Sequence, residues 1–265
     1  RILLNNFNLL MATTAAAIAG APSSANMVVV NGTGQMLKYI NNAGLPITFT
    51  YPIGDNSGIY SPATLTFTAN TVAGLVGAKV FNIKHPNNAQ VTDLINRYWC
   101  FTSALTNYTY SAALKYDVTD IVGNEAFILA QRYDNGTTTW TTDISSSANT
   151  VTHTLTTGSL NQATGTLNNN DFTAYNGGAN VYYWSRATGN WSAPATWEVT
   201  STSVDPGVGL GTPATTAPTN LNSNGITVRT GNNVTVNNSY TADNFTVNGT
   251  LTISAGQTLT VFNGT

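Results

Sequence analysis

Charge is scarce in this sequence. It holds 9 basic and 11 acidic residues among 265, with a net charge of -2. These make up 8 % of the chain, against roughly 25 % in an ordinary soluble domain. No stretch is basic enough to neutralise a run of phosphates, which argues against nucleic acid as a partner. No polybasic segment addresses an anionic membrane surface. No apolar run reaches the about 18 residues that a spanning helix needs, so no membrane span is expected. Cys100 is the single cysteine, which excludes an internal disulfide. Set in Arg97-Tyr98-Trp99-Cys100-Phe101, it reads as a small core residue. Strong helix formers are few as well: Glu125 and Glu198 are the only glutamates, and there are four lysines.

What is present instead is 45 Thr and 34 Asn. Thr is β-branched and favours a pleated strand. Asn and Gly tolerate positive φ and favour turns. Such a composition describes strands joined by tight turns, in a chain long enough for two or more cores.

The clearest repeat lies at the end. Residues 226–236 read Ile-Thr-Val-Arg-Thr-Gly-Asn-Asn-Val-Thr-Val, and residues 251–261 read Leu-Thr-Ile-Ser-Ala-Gly-Gln-Thr-Leu-Thr-Val. The two align at an offset of 25 residues, with Gly231 on Gly256, and Phe245-Thr246-Val247 lies between them. Each apolar-Thr-apolar triplet sends two side chains inward and Thr outward. The pattern predicts a β-solenoid with three strands per 25-residue turn. Ile226, Val228, Val234, Val236, Phe245 and Val247 would line one coil. Leu251, Ile253, Leu259 and Val261 would stack on the residues 25 positions earlier, with Gly231 and Gly256 at corners.

Four segments follow from this pattern. Residues 1–43 carry short strands, at Phe7-Asn8-Leu9, Ala17-Ile18-Ala19-Gly20 and Met27-Val28-Val29-Val30, and read as the end of a preceding solenoid. Residues 44–176 hold longer, more aromatic strands, predicted at 46–53, 60–71, 78–85, 96–103, 108–117, 126–134, 138–143 and 150–158. Their spacing predicts an antiparallel β-sandwich of Ig-like or jelly-roll type, with a hairpin at Asp134-Asn135-Gly136. Residues 177–223 read as a Trp-rich connector that caps the next solenoid, which starts at 224–265. The expected fold is therefore all-β: an antiparallel β-sandwich flanked by right-handed β-solenoid (β-helix) segments. The N-terminal stretch from Arg1 to Ala19-Gly20-Ala21 has signal-peptide texture, broken by Asn5, Asn6 and Asn8. The other reading is that the chain starts within a repeat. Phe262-Asn263-Gly264-Thr265, a strand edge with nothing to close it, favours the second reading and leads us to expect further coils beyond it.

Three segments carry a family resemblance. The first is Phe49-Thr50-Tyr51-Pro52-Ile53-Gly54-Asp55 with Tyr60-Ser61-Pro62-Ala63-Thr64-Leu65 and Asn96-Arg97-Tyr98-Trp99. The second is Tyr182-Tyr183-Trp184-Ser185 with Gly189-Asn190-Trp191 and Ala195-Thr196-Trp197. The third is the coil from Val234-Thr235-Val236 to Ile253. In this order they resemble the modular surface proteins of Bacteroidota that leave the cell by type IX secretion, gliding-motility adhesins among them. The resemblance implies an extracellular structural or adhesive role and brings no catalytic residue. The C-terminal sorting domain of such proteins has no counterpart here.

Candidate sites are few. His85 (in Lys84-His85-Pro86, at a strand-to-turn boundary) and His153 (between Thr152 and Thr154, on a solvent face) lie in no catalytic motif. Two His and one Cys do not make a zinc site. Asp117, Asp120 and Glu125 could offer oxygens to Ca²⁺, or form an exposed polar loop. Trp140, Trp184, Trp191 and Trp197 could form a sugar-stacking platform, or pack as core and end cap. The coils offer only Asp243 and Arg229, too little for a solenoid lyase or hydrolase. The expected function is a structural fibre or stalk, not an enzyme and without cofactor. Its expected partners are tandem or homotypic modules and, for adhesion, surface glycans or other cells. The alternative is a glycan-binding adhesin module with an exposed aromatic cleft.

Overall fold

A computed structural model describes residues 1–11, 18–143, 145–176, 181–200, 202–220, 222–242 and 244–261. Asp243, Ala17 and the stretch 262–265, all named above, lie outside the described residues. The chain is all-β. Its helical content among the described residues is three single turns of 3-10 helix, at Val118–Asp120, Glu125–Phe127 and Pro194–Thr196. It divides into two compact units, Arg1–Gly177 and Gly178–Thr265.

The first unit is built on two large sheets. One has nine described strands, with Asn170–Asn176 at its centre between Tyr98–Ser103 and Ile128–Asp134. It continues through Gly74–Phe81 to Met36–Ile40 and Leu9–Met11. The other has six, with Thr109–Lys115 and Ala63–Ala69 in its middle and Ile47–Tyr51 at its edge. Inward residues of both sheets meet in a single core, Trp99, Phe101, Phe172 and Val80 from the first and Phe49, Leu65, Phe67 and Tyr110 from the second. Alternation predicts this directly: along Ala63–Ala69, Ala63, Leu65 and Phe67 are buried, while Thr64 and Thr66 face outward. Those threonines bond across the strands to Thr50 and Thr48.

Pairing in this unit is antiparallel except where residues 1–43 join it. Ile2–Leu3, Val28–Val29 and Ile53–Gly54 form a parallel ladder, and Leu9–Met11 runs parallel to Met36–Ile40. Residues 1–43 are not a separate body, because Leu4, Val28, Val30, Met36 and Ile40 belong to the same core as the two sheets. The hairpin at Asp134 is present. Ile128–Asp134 pairs with Thr139–Asp143, and the Asp134 carboxylate accepts from the Gly136 and Thr137 amides. Positive φ falls at Thr138, not at the Asn-Gly pair.

The second unit is built mainly of parallel ladders, with antiparallel pairing at one edge where Trp197–Thr200 joins Tyr182–Ser185 and Thr212–Pro213. Tyr182–Ser185, Gly225–Val228 and Phe245–Val247 climb one of them. Gly189–Asn190, Asn233–Val236 and Thr250–Ile253 climb the next, and Tyr240–Ala242 with Leu259–Val261 make the third. Register places like on like. Thr227 pairs with Thr246, Thr235 with Thr252 and Thr241 with Thr260, all on outward positions. The expected 25-residue stacking is corrected here. Ile226 pairs with Phe245, Val234 with Leu251, Val236 with Ile253, Tyr240 with Leu259 and Ala242 with Val261. The steps are 19 residues on the first and third ladders and 17 on the second. Every face carries the same triplet, so a 25-residue shift superposes one face on the next, one turn higher. Gly231 and Gly256 do sit in turns, at φ 86° and 76°. A Cβ on either would meet nothing, so backbone conformation alone requires glycine there.

The connector is part of this unit and supplies its first strands. Trp191 and Trp197 are fully buried among Ile226, Val228, Val234, Val236, Ala242 and Phe245. Trp191 stacks on Tyr240 with ring centroids 5.6 Å apart and meets Trp197 edge-on at 5.1 Å. Trp191→Ala is expected to destabilise this unit by about 3–5 kcal/mol. Urea unfolding followed by near-ultraviolet circular dichroism would read it, and an unchanged midpoint would show that the ladders do not depend on this side chain.

Candidate functional site

Arg97 enters the first unit between Leu94–Ile95 and Tyr98–Ser103, and its side chain has no exposed surface. A guanidinium there needs anionic partners, because desolvating an unpaired charge is costly. Its Nε donates to Asp120 Oδ2 at 2.6 Å and its Nη1 to Asp55 Oδ2 at 2.8 Å. Its Nη2 donates to Asp120 Oδ1 at 3.2 Å and to Asn82 Oδ1 at 3.0 Å.

This corrects the calcium reading. Asp120 faces Arg97 and also accepts from the Asp117 amide. Asp117 accepts from the Thr119 amide and hydroxyl. Those bonds, the backbone one first, hold the Asp117 carboxyl below its ordinary value. Glu125 accepts from the Tyr116 hydroxyl and lies 2.8 Å from His153 Nδ1. The three acids are thus held by three different sets of partners. Among the described residues no group of three or more His, Cys, Asp or Glu is placed to hold a metal ion.

One of the two histidines differs from expectation. His153 lies in a turn at φ 50°, not on a strand face. His85 is buried, with its Nε2 3.2 Å from Asp171 Oδ2 and its ring enclosed by Tyr98, Tyr133 and Trp140. Burial would raise the Asp171 carboxyl, but hydrogen bonds from His85, Cys100 and Asn135 outweigh it and lower it. Cys100 lies beside this pair. Burial first, and then the Asp171 carboxylate, push its thiol far above the ordinary value. Tyr98 is raised to about 12, by burial first and then by its neighbours Cys100 and Asp171. A histidine and carboxylate in contact offer a base, but the neighbouring thiol is held protonated and is a poor nucleophile.

The four tryptophans do not form one platform. Trp140, half-buried in the first unit, donates its Nε1 to Asn87 O and packs on His85, Tyr133 and Tyr175. The other three belong to the second unit. Trp191 Nε1 donates to Pro218 O and Trp197 Nε1 to Trp191 O, and neither ring has a face to offer a sugar. Trp184 is buried under Arg229, whose Cζ lies 5.4 Å from its ring centroid. Arg229 in turn bonds both Asp205 oxygens, Glu198 Oε1 and the Ser185 carbonyl. So the second unit, like the first, holds an arginine between two carboxylates. The sequence pattern points to neither cluster, although an Arg flanked by Ile95 and by Tyr98-Trp99 is itself a sign of a buried charge.

The residues expected to line the coils split by height. Val234, Val236 and Phe245 are buried, and Leu251 and Leu259 are half-covered. Val247, Ile253 and Val261 are exposed, and the strands that carry them are the last of their ladders among the described residues. Among the described residues no helix is long and apolar enough to cross a membrane. Compared with known proteins, the chain matches no family model, no curated sequence and no solved structure.

Two outcomes follow from the arginine clusters. Arg97→Met is expected to cost about 3–5 kcal/mol in urea unfolding, since Asp55 and Asp120 would remain buried without a cation. The Asp205 carboxyl is lowered below 3.8, chiefly by the Arg229 hydrogen bonds, with burial opposing. A carboxyl lowered on folding contributes stability that is complete above its unfolded value and lost as pH falls through its folded value. Melting temperatures measured down the acid range should therefore fall more steeply below 3.8 in the native chain than in Asp205→Asn. Parallel curves would exclude Asp205 as a source of acid sensitivity.

Proposed function

We propose that this chain is a stalk segment of an extracellular bacterial surface fibre and that it is not an enzyme. In this reading the two large sheets of the first unit form a β-sandwich. The parallel ladders at residues 1–54 close one right-handed β-solenoid, and those of the second unit begin another. The surface proteins of Bacteroidota exported by type IX secretion are the relatives this reading suggests, with adhesion to glycans or other cells as the wider role.

The observation that carries the reading is the in-register stacking in the second unit, Thr on Thr and aliphatic on aliphatic through successive strands. A stack of this kind resists unfolding along its axis, because each turn is bonded to the next by a row of ladder hydrogen bonds. The small number of charges lets neutral turns lie 4.8 Å apart, about one strand spacing, without like-charge repulsion. The glycan-binding alternative is less well supported, since Trp184, Trp191 and Trp197 are buried.

Antibodies raised against this chain and used for immunogold electron microscopy of intact cells would test the proposal. Labelled filaments bearing regularly spaced globules are expected. Label confined to compact particles or to the cell interior would overturn it.

A further inference from the structure

Arg97 and Arg229 are each held between two carboxylates, and Arg132 is not. Along Ile128–Asp134, Ile128 and Ala130 point into the core of the first unit. Alternation therefore aims Arg132 into the same space between the two large sheets, where it is half-buried. Its Nη1 donates to Asn170 Oδ1 at 2.6 Å. Its Nη2 donates to the Thr164 carbonyl at 3.1 Å and to Thr141 Oγ1 at 3.4 Å. All three acceptors are neutral. Among the described residues no carboxylate forms an ion pair with this arginine. Its Nε and one Nη1 hydrogen are left without a partner there.

The acids nearest to it are already engaged. Asp134, further along the same strand, accepts from the Gly136 and Thr137 amides. Asp143, on the paired strand, accepts from the Ser145 and Gly158 amides. Of these three charges, the guanidinium is the one with donors to spare. It lines a cavity of about 190 Å³. Phe172 of the nine-stranded sheet and Leu160, which pairs with Tyr110 of the six-stranded sheet, form an apolar wall. Asp143 lines the cavity as well, and the exposed Thr141 and Thr164 stand at its mouth. A cavity of roughly 150 Å³ takes one benzene ring, so this one has room for a six-membered ring with substituents.

We propose that this cavity binds a uronic acid residue, with the sugar carboxylate accepting from Arg132 Nε. A carboxylate supplies the missing counter-charge through a charge-assisted hydrogen bond. The ring hydroxyls then reach Thr141 and the remaining lone pairs of Asp143, and the ring C–H groups lie against Leu160. A neutral hexose fits the space but leaves the guanidinium uncompensated. An α-amino acid brings a carboxylate, but its ammonium needs an anion, and both acids are held by backbone amides. Asp134 and Asp143 carry the ligand's own sign, so binding is weak, with a dissociation constant on the order of 1 mM. The site lies wholly in the first unit and does not depend on the stalk reading.

Titration of the whole chain with glucuronate, followed by two-dimensional amide NMR, tests this, with glucose and glycine as parallel arms. Saturating shifts of amides at 130–132 and 141–143 are expected with glucuronate, and no saturation with glucose or glycine over the same range. Arg132→Gln should weaken glucuronate binding by at least about tenfold. Thr141→Trp, at an exposed strand position on the mouth, should block the cavity with Arg132 intact. Circular dichroism on each variant confirms folding, and the two variants give independent readings. A chain that glucuronate does not saturate overturns the proposal. So does equal affinity for glucose, tighter binding of glycine, or glucuronate binding that survives both substitutions. The immunogold result for the stalk stands or falls separately, since NMR titration reads this cavity alone.

Discussion

Among the described residues each unit holds a guanidinium buried between two carboxylates, and much of the local structure depends on it. Arg97 gathers Asp55, Asn82 and Asp120, from segments far apart in sequence. Arg229 gathers Ser185, Glu198 and Asp205 in the same way. In a chain with so few charges, these are not surface decoration. Every partner must be present together, because a buried ion that loses one of them retains its desolvation cost without the compensating attraction. The loops around residues 55, 82 and 120 are fixed by Arg97, and the loop around 205 by Arg229. The clusters need not add net stability over well-packed apolar groups. Their effect is that alternative arrangements of these loops leave a charge stranded.

Much of the architecture was legible in the sequence because alternation of apolar residues with Thr reports directly on which side of a strand is covered. The triplets at Ile226, Val234, Phe245 and Leu251 are strands for that reason. The same regularity hid the length of a turn. When every face bears the same triplet, a shift by one turn plus one face scores as well as a shift by one turn. The strand Asn170–Asn176 was missed for the opposite reason. All seven of its residues are buried, yet Asn170, Asp171, Thr173 and Asn176 give it the look of a loop. Its polar groups are satisfied from elsewhere: Asn170 by Arg132, Asp171 by His85 and Asn135, and Thr173 by the Arg97 carbonyl. A central strand can be polar when its partners arrive from neighbouring strands and loops, and no local window contains them.

The candidate sites were harder to read for a related physical reason. Asp117, Asp120 and Glu125 are near one another in sequence, which suggested one cation, but the chain turns between them and sends each to a different partner. His85 and Asp171 are 86 residues apart and touch. The tryptophans show the limit of composition: the residue types that stack on sugars also fill cores, and only burial separates the two uses.

Low charge has two consequences that act together. It permits neutral turns to stack without repulsion, and it removes the lysines and carboxylates that ordinarily guard a strand edge. The chain manages its edges by different means. Ile47–Tyr51, at the rim of the six-stranded sheet, lies between Pro46 and Pro52, and Thr212–Pro213 ends its sheet on a proline. Proline blunts an edge without introducing charge, so it suits a neutral fold.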